Sequence, residues 1–220
     1  MPLIIKKKPV DYAALESDTY IARCVGVAMV GTQMHENAKT KVPSYKRDIV
    51  LLFEVCGHHR KHKNGDPYKI KLNGVEINEP QTVRIQVTES LSQNSNLTKY
   101  IKTWMHATDD DLAEFDLELC VGKPCLLSVE KKVSETTGNE YNSIQTVSSM
   151  IAGMDAPAAI LPTFAYNVDE HDEEQFSLMP EWLREIVQKS SEWEATHANT
   201  QTIDASAGKI NQPAAGGPSF

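Results

Sequence analysis

Two short stretches of this chain place a tyrosine directly before basic side chains. One reads Tyr45-Lys46-Arg47, and the other reads Tyr68-Lys69-Ile70-Lys71. Cationic side chains attract phosphates, and an aromatic ring offers a face on which a nucleobase can stack. Because each stretch combines the two chemistries, both predict contact with a single strand of nucleic acid.

Further basic side chains extend this candidate site, namely Arg23, Arg60, Lys61 and Arg84. Arg84 belongs to the polar face of a predicted strand, and Arg23 could flank it. Arg60 and Lys61 lie in a histidine-rich basic loop, which we expect to act as a flap near the nucleic acid. An alternative stays open, in which Tyr68 is a core residue and the lysines are only solvated.

The chain offers few residues for a metal site or for catalysis. His58, His59 and His62 follow Cys56, and Cys120 stands near Cys125, but neither spacing is that of a zinc knuckle. No phosphate-binding loop, His-Glu-x-x-His or Gly-x-Ser-x-Gly motif is present. We therefore predict a non-catalytic protein without cofactor or metal. A metal-dependent nuclease is a weaker alternative, since it needs only scattered carboxylates.

The charge is distributed unevenly along the 220 residues. The net charge is −8, yet residues 1–105 hold 16 Lys and Arg against 10 Asp and Glu. Residues 106–150 hold 3 against 9, and residues 151–220 hold 3 against 11. A basic first half beside an acidic second half indicates a binding surface and a region that avoids it or competes for it. An unevenly charged but merely solvated surface is the alternative.

The content of apolar residues and cysteines indicates one compact domain in a reducing compartment. An apolar fraction of 40% allows one substantial core. The four cysteines lie in or beside apolar strand-like segments, which favours buried thiols over disulfides. The chain shows neither a long apolar run nor a signal sequence, so we expect a cytoplasmic location.

Residue periodicity predicts strands, then a helix, then strands. Apolar or alternating runs predict strands at residues 19–30, 49–56, 68–72 and 83–87, with a basic loop at 32–48. Leu97, Ile101, Trp104 and Met105 form one helical face, in which we expect Trp104 to plug the interior. A short helix is predicted at 109–115, where aspartates suit the helix start, and strands follow at 125–133 and 141–147.

This order is that of the OB-fold, a five-stranded, partly open barrel with a helix between its third and fourth strands. Other small β-barrels and α+β folds give similar patterns. We predict a mainly β chain with a flexible arm at 1–18, the OB-fold at 19–150, an acidic strap and helix at 151–193, and a disordered tail at 194–220. The helix begins at Pro180 and carries an apolar stripe that must pack on something.

Several stretches resemble a family of bacteriophage single-stranded DNA-binding proteins. The strongest are Phe115 to Val129, Tyr141 to Ile144 and Met179 to Trp193, and weaker ones are Tyr20 to Arg23 with Gly31 to Gln33, and Ser95 to Leu97 with Trp104. The matches run in order over residues 19–193. The chain departs from the family pattern in a long insertion between Cys56 and Thr82 and in its C-terminal tail.

The resemblance implies an OB-fold that coats single-stranded DNA during phage replication or recombination, in the cytoplasm of the bacterial host. From the residues alone, RNA is an alternative ligand. The acidic run at 169–174 and the final Phe220 are weakly similar to the partner-recruiting tails of bacterial single-stranded DNA-binding proteins. An adaptor that binds a replication or recombination protein through this acidic region is therefore a second hypothesis.

Overall fold

The structure, a computed structural model, describes residues 13–37, 40–58, 69–72, 74–154 and 156–197. Its eight strands are β1 (Asp18–Glu36), β2 (Pro43–His58), β3 (Lys69–Leu72), β4 (Val75–Pro80), β5 (Thr82–Thr88), β6 (Pro124–Val133), β7 (Glu140–Ser148) and β8 (Phe164–Asn167). The helices are α1 (Asn96–Met105), α2 (Glu173–Leu178), α3 (Glu181–Gln188) and α4 (residues 191–197). None of the described helices is long and apolar enough to cross a membrane.

The main sheet has the strand order β5-β2-β1-β6-β7 and is not closed. These neighbours pair antiparallel, whereas β8 pairs parallel with β1. The edge strands β5 and β7 face each other without pairing, and α1 packs against both of them. The predicted mainly β architecture is confirmed, with an open sheet.

Strand β1 is the centre of this sheet because it changes partners along its length. On one side it pairs with β2 throughout, and on the other it pairs with β6 up to Arg23 and with β8 from Gly26. A bulge between Cys24 and Gly26 marks the change. The ring of Phe164 lies directly on Gly26, where a β-carbon would overlap it, so glycine is what allows β8 to approach.

The sheet separates two hydrophobic cores. The inner core joins alternate residues of the strands to α1, whose Ser95 side chain caps the Thr98 amide at 3.1 Å. Trp104 is buried in it, 5.6 Å from the ring of Phe53, and donates its indole N–H to the Pro124 carbonyl at 2.8 Å. The prediction for Trp104 is therefore confirmed.

The outer core is built by the segment that follows β7. The opposite face of β1 and β2 packs against α2, α3 and side chains of β8. The apolar stripe of α3 buries Leu183 and Val187 there. Residues 156–161, which lie between β7 and β8, are held at β2, since the buried Glu54 carboxylate accepts hydrogen bonds from the Ile160 and Leu161 amides at 3.0 and 2.8 Å. We call β8 to α4 the C-terminal unit.

Several local predictions were wrong. The basic loop at 32–48 is mostly strand, because β1 continues to Glu36 and β2 begins at Pro43. The helix at 109–115 is only a 3₁₀ turn at Asp111–Ala113. In the predicted acidic strap and helix at 151–193, the part before the helix is not a plain strap, because it contains β8 and α2, whose N-terminus Asp172 caps. The predicted strand at 68–72 appears as β3, in a separate two-stranded sheet with β4. Of the predicted arm at 1–18 and tail at 194–220, residues 1–12 and 198–220 lie outside the described residues. The described parts differ from the prediction, because Leu15 is buried and its amide donates to the Asn142 side chain at 2.9 Å, and residues 194–197 belong to α4.

Candidate nucleic-acid interface

The ends of β1 and β2 form a two-stranded extension, the ribbon, made of residues 32–36 and 43–47. In its register Met34 pairs with Tyr45 and Gln33 pairs with Lys46. Met34 and Tyr45 are 67% and 69% exposed. Lys46 is also exposed and makes no ion pair with any residue the structure describes. The ribbon therefore presents a ring beside a thioether on one face, since Met34 and Tyr45 are cross-strand partners, and a cation on the other face, because successive side chains of a strand alternate.

Arg47 stands at the base of the ribbon and is neutralised by the protein itself. Its guanidinium contacts Glu89 at 2.8 Å, Glu192 at 3.0 Å and Asp169 more closely. The hydrogen bond that Arg47 donates to Asp169, followed by the one that it donates to Glu89, raises the pKa of Arg47. The prediction that Arg47 offers a free charge to phosphate is corrected, because its partners are three carboxylates.

Arg23 is likewise used inside the fold. Its Nε donates to the Pro157 carbonyl at 2.9 Å, and its two terminal nitrogens donate to Ala156 and Gly122. These bonds hold the chain after β7 against β1. Arg23 therefore has a structural role here, and its prediction as a phosphate contact is also corrected.

A groove runs between the unpaired edges of β5 and β7. Arg84, Tyr141 and Trp182 line it. The Arg84 guanidinium lies 4.3 Å from the centre of the Trp182 ring, which is a cation–π contact. Partial burial lowers the pKa of Arg84, but an arginine stays charged at neutral pH. Tyr141 is 47% exposed at the rim. The groove thus combines one cation with two aromatic faces.

The remaining predicted residues fall into two groups. Lys71 is exposed on β3, and Lys69 lies 3.9 Å from Glu76, a distance at which an exposed pair contributes little. The first described residues contact both β3 and the groove. The Lys71 carbonyl accepts a hydrogen bond from the Ala13 amide at 3.1 Å. The side-chain amide of Asn142, a residue that lines the groove, donates to the Leu15 carbonyl at 2.8 Å. Arg60, Lys61 and Tyr68 lie outside the described residues.

Sequence reasoning missed Met34, Tyr141 and Trp182. Met34 was hidden in a segment predicted to be a loop. Tyr141 opens β7 between Glu140 and Asn142, and that polar setting was a signal that its ring faces solvent. Trp182 belongs to the apolar stripe of α3, and only the packing of α3 on β1 and β2 brings its ring to Arg84 of β5.

Among the residues the structure describes, no group of three or more His, Cys, Asp or Glu side chains could hold a metal ion. His59 and His62, from the zinc hypothesis, are not among those residues. No protein-family model matches this chain, and a search of curated proteins finds no significant relative.

Proposed function

We propose that this chain binds single-stranded DNA without catalysis, on an open OB-fold barrel. Counted without the β3–β4 hairpin and β8, the strands run β1, β2, β5, then α1, then β6 and β7. Their order in the sheet, with β5 and β7 at its two edges, is consistent with a partly open five-stranded barrel whose gap lies between its third and fifth strands. The resemblance to phage proteins supports a role in phage replication or recombination in the host cytoplasm.

The observation that carries the proposal is the exposed Tyr45 on the ribbon, with Met34 as its cross-strand partner and Lys46 exposed on the opposite face. A large aromatic side chain that is 69% exposed and paired with an exposed methionine has no evident role in stability. Stacking of a base on such a ring contributes ~1–3 kcal/mol and needs no particular sequence. Lys46 adds a charge that no described carboxylate neutralises.

The groove between β5 and β7 is the second proposed contact region. The C-terminal unit packs on the outer face of β1 and β2, so that face is closed to a ligand. In the described part of the chain, the ribbon and the groove are two surfaces on which aromatic and cationic side chains remain accessible. In this proposal the bases stack on Tyr45 and Tyr141, and Lys46, Lys71 and Arg84 face the phosphates.

The test is a fluorescence anisotropy titration with labelled oligo-dT, the matching duplex and an RNA strand, repeated over a range of salt. We expect oligo-dT to bind more tightly than duplex, and log K to fall with log salt by about 0.7 for each phosphate contacted. Binding that ignores salt or prefers duplex would refute the proposal. Tighter binding of RNA than of oligo-dT would identify RNA as the ligand instead of single-stranded DNA.

Variants locate the interface. Tyr45→Ala should weaken oligo-dT binding by about 5- to 150-fold, the range expected for one stacked base. Lys46→Glu should weaken binding and lower the salt slope. Lys123→Glu is the matched control, because it makes the same change of charge at an exposed lysine in the loop before β6. Equal effects of the two reversals would show only bulk electrostatics. Labelled strands incubated with Mg²⁺ or Mn²⁺ should stay intact.

A further inference from the structure

A large cavity opens on the side of the sheet where β1 changes partners. It lies among the end of β5, the loop at 115–118 and β8. Its volume of about 630 Å³ is within the range of sites that hold a ligand or several side chains. Neither the ribbon tyrosine nor the groove between β5 and β7 belongs to it, so the proposed nucleic-acid contacts leave it unexplained.

The cavity has an apolar floor and an acidic rim. Val27, Met29 and Ile49 form the floor, and other apolar lining residues are Leu91, Leu97, Phe115 and Leu117. The rim holds the carboxylates Glu89, Asp116, Glu118 and Glu170 and, in the described part of the chain, no lysine or arginine.

Among the residues that the structure describes, two of the four rim carboxylates have partners and the other two form no ion pair. Glu89 is paired with Arg47, and Asp116 accepts the Glu118 amide at 2.9 Å. Glu118 and Glu170 are exposed and form no ion pair with a described residue. A nucleic acid would be repelled here. The occupant that fits has apolar side chains followed closely by cations.

The chain itself contains one segment of this chemistry. Residues 3–8 read Leu-Ile-Ile-Lys-Lys-Lys, three apolar side chains followed by three positive charges, and they precede the described residues. The apolar side chains match the floor, and the lysines match the free carboxylates of the rim.

The short length of chain between Ala13 and the lysines favours an arm from another copy of the chain as the occupant of the cavity. Ala13 is held beside Gln81 at the start of β5, because the Gln81 side chain donates to its carbonyl at 3.2 Å, whereas the cavity lies at Glu89 beyond the end of β5. Eight strand residues span about 26 Å. Lys8, Lys7 and Lys6 stand five, six and seven residues before Ala13 and reach at most about 18, 22 and 25 Å, so the same chain could meet the rim only when almost fully extended, whereas a second copy needs no such extension.

We propose that this cavity receives residues 3–8 of a second copy of the chain. The contact is heterologous, since an arm on one copy meets a cavity on the next, and it therefore builds rows rather than closed pairs. Along a bound strand such rows would make coating cooperative. The self-association itself does not depend on the proposed function, because it needs no nucleic acid.

The test is sedimentation velocity of the full chain without nucleic acid, at low and at high salt. We expect concentration-dependent association at low salt that weakens at high salt. Reversal of the arm (Lys6→Glu, Lys7→Glu, Lys8→Glu) and reversal of the rim (Glu118→Lys, Glu170→Lys) should each weaken it at least about tenfold, because each opposes like charges. Leu3→Ser with Ile4→Ser and Ile5→Ser should also weaken it, which separates apolar docking from charge alone.

Mixing experiments test whether the arm of one copy binds the cavity of another. In a mixture of the two variants the unchanged arm meets the unchanged rim and the reversed arm meets the reversed rim, so the mixture should form rows in which the two variants alternate, whereas neither variant should form rows alone. Combining both reversals in one chain should restore rows. Glu135→Lys with Glu185→Lys, two exposed carboxylates outside the cavity, is the charge-matched control and should associate as strongly as the parent chain or more strongly. A chain that stays monomeric at low salt, or a rim reversal without effect, overturns the proposal.

Discussion

The most demanding prediction from the fold concerns Gly26. In Gly26→Ala the new β-carbon would overlap the ring of Phe164, which is 2% exposed, so the ring must leave its site. Loss of a buried phenylalanine from its packing costs about 3–5 kcal/mol. We expect Gly26→Ala to lower the free energy of unfolding by about that amount. For an ordered region of this size, the midpoint of thermal unfolding should fall by roughly 6–20 °C.

The assay is urea and thermal unfolding followed by tryptophan fluorescence and circular dichroism. Gly74→Ala is the control, because Gly74 has a φ of +80° and no atom of the described residues lies within 4 Å of its would-be β-carbon, so only backbone strain of ~1 kcal/mol is expected. Phe164→Ala should cost about as much as Gly26→Ala, and the double variant should cost little more than Phe164→Ala alone. Additive losses, or a Gly26→Ala loss no larger than that of Gly74→Ala, would refute the assigned contact.

Three further outcomes follow from buried and charged groups. Burial of Glu192 opposes its ionisation, but hydrogen bonds from the Thr32 amide and hydroxyl outweigh this and hold its pKa at about 2. The ionised carboxylate therefore stabilises the fold fully above its unfolded pKa of ~4.3, and this stabilisation is lost as the pH falls toward 2. Glu192→Gln should lower the free energy of unfolding at pH 7, and the pH dependence of that free energy below pH ~4.3 should become flatter. Glu54→Ala leaves two backbone amides unpaired, and limited proteolysis should then cut residues 151–162 faster than in the parent chain. Burial raises the pKa of Cys56 to about 11 and of Cys120 to about 12, so a thiol reagent at pH 8 should label the four cysteines only after unfolding.

The parts of the fold that bury a regular apolar pattern could be predicted from the sequence. The alternation of Val83, Ile85 and Val87 gives β5, and the stripe through Leu97, Ile101 and Trp104 gives α1. These elements are specified locally, since each presents one face to the same core. The bulge between Cys24 and Gly26 falls at a glycine inside an apolar strand, which is a position where a sequence favours a bulge.

The parts that depend on distant partners could not be predicted. The ribbon at 32–36 and 43–47 is polar, and it is strand because β1 and β2 continue their pairing beyond the core. Strand β8 has four residues, and it forms where the bare backbone of Gly26 accepts Phe164 from 138 positions away. Neither event leaves a periodic signal in the sequence.

The same limitation explains why individual arginines were misjudged. Arg23 and Arg47 resemble Arg84 in the sequence, since all three stand in or beside strands. Backbone carbonyls hold Arg23, and carboxylates from β5's far end and the C-terminal unit hold Arg47.

The acidic C-terminal half therefore has a structural use that net charge conceals. Asp169 and Glu192 neutralise Arg47 and, through Thr32, fasten the C-terminal unit to both strands at the base of the ribbon. Because these carboxylates pair with Arg47 at the base of the ribbon, they leave Lys46 and Tyr45 accessible. Under the proposed function, the acidic region orients the binding ribbon and does not compete with DNA for it. Asp169→Asn should accordingly weaken oligo-dT binding through loss of ribbon order, whereas a competing tail would make the same change strengthen it.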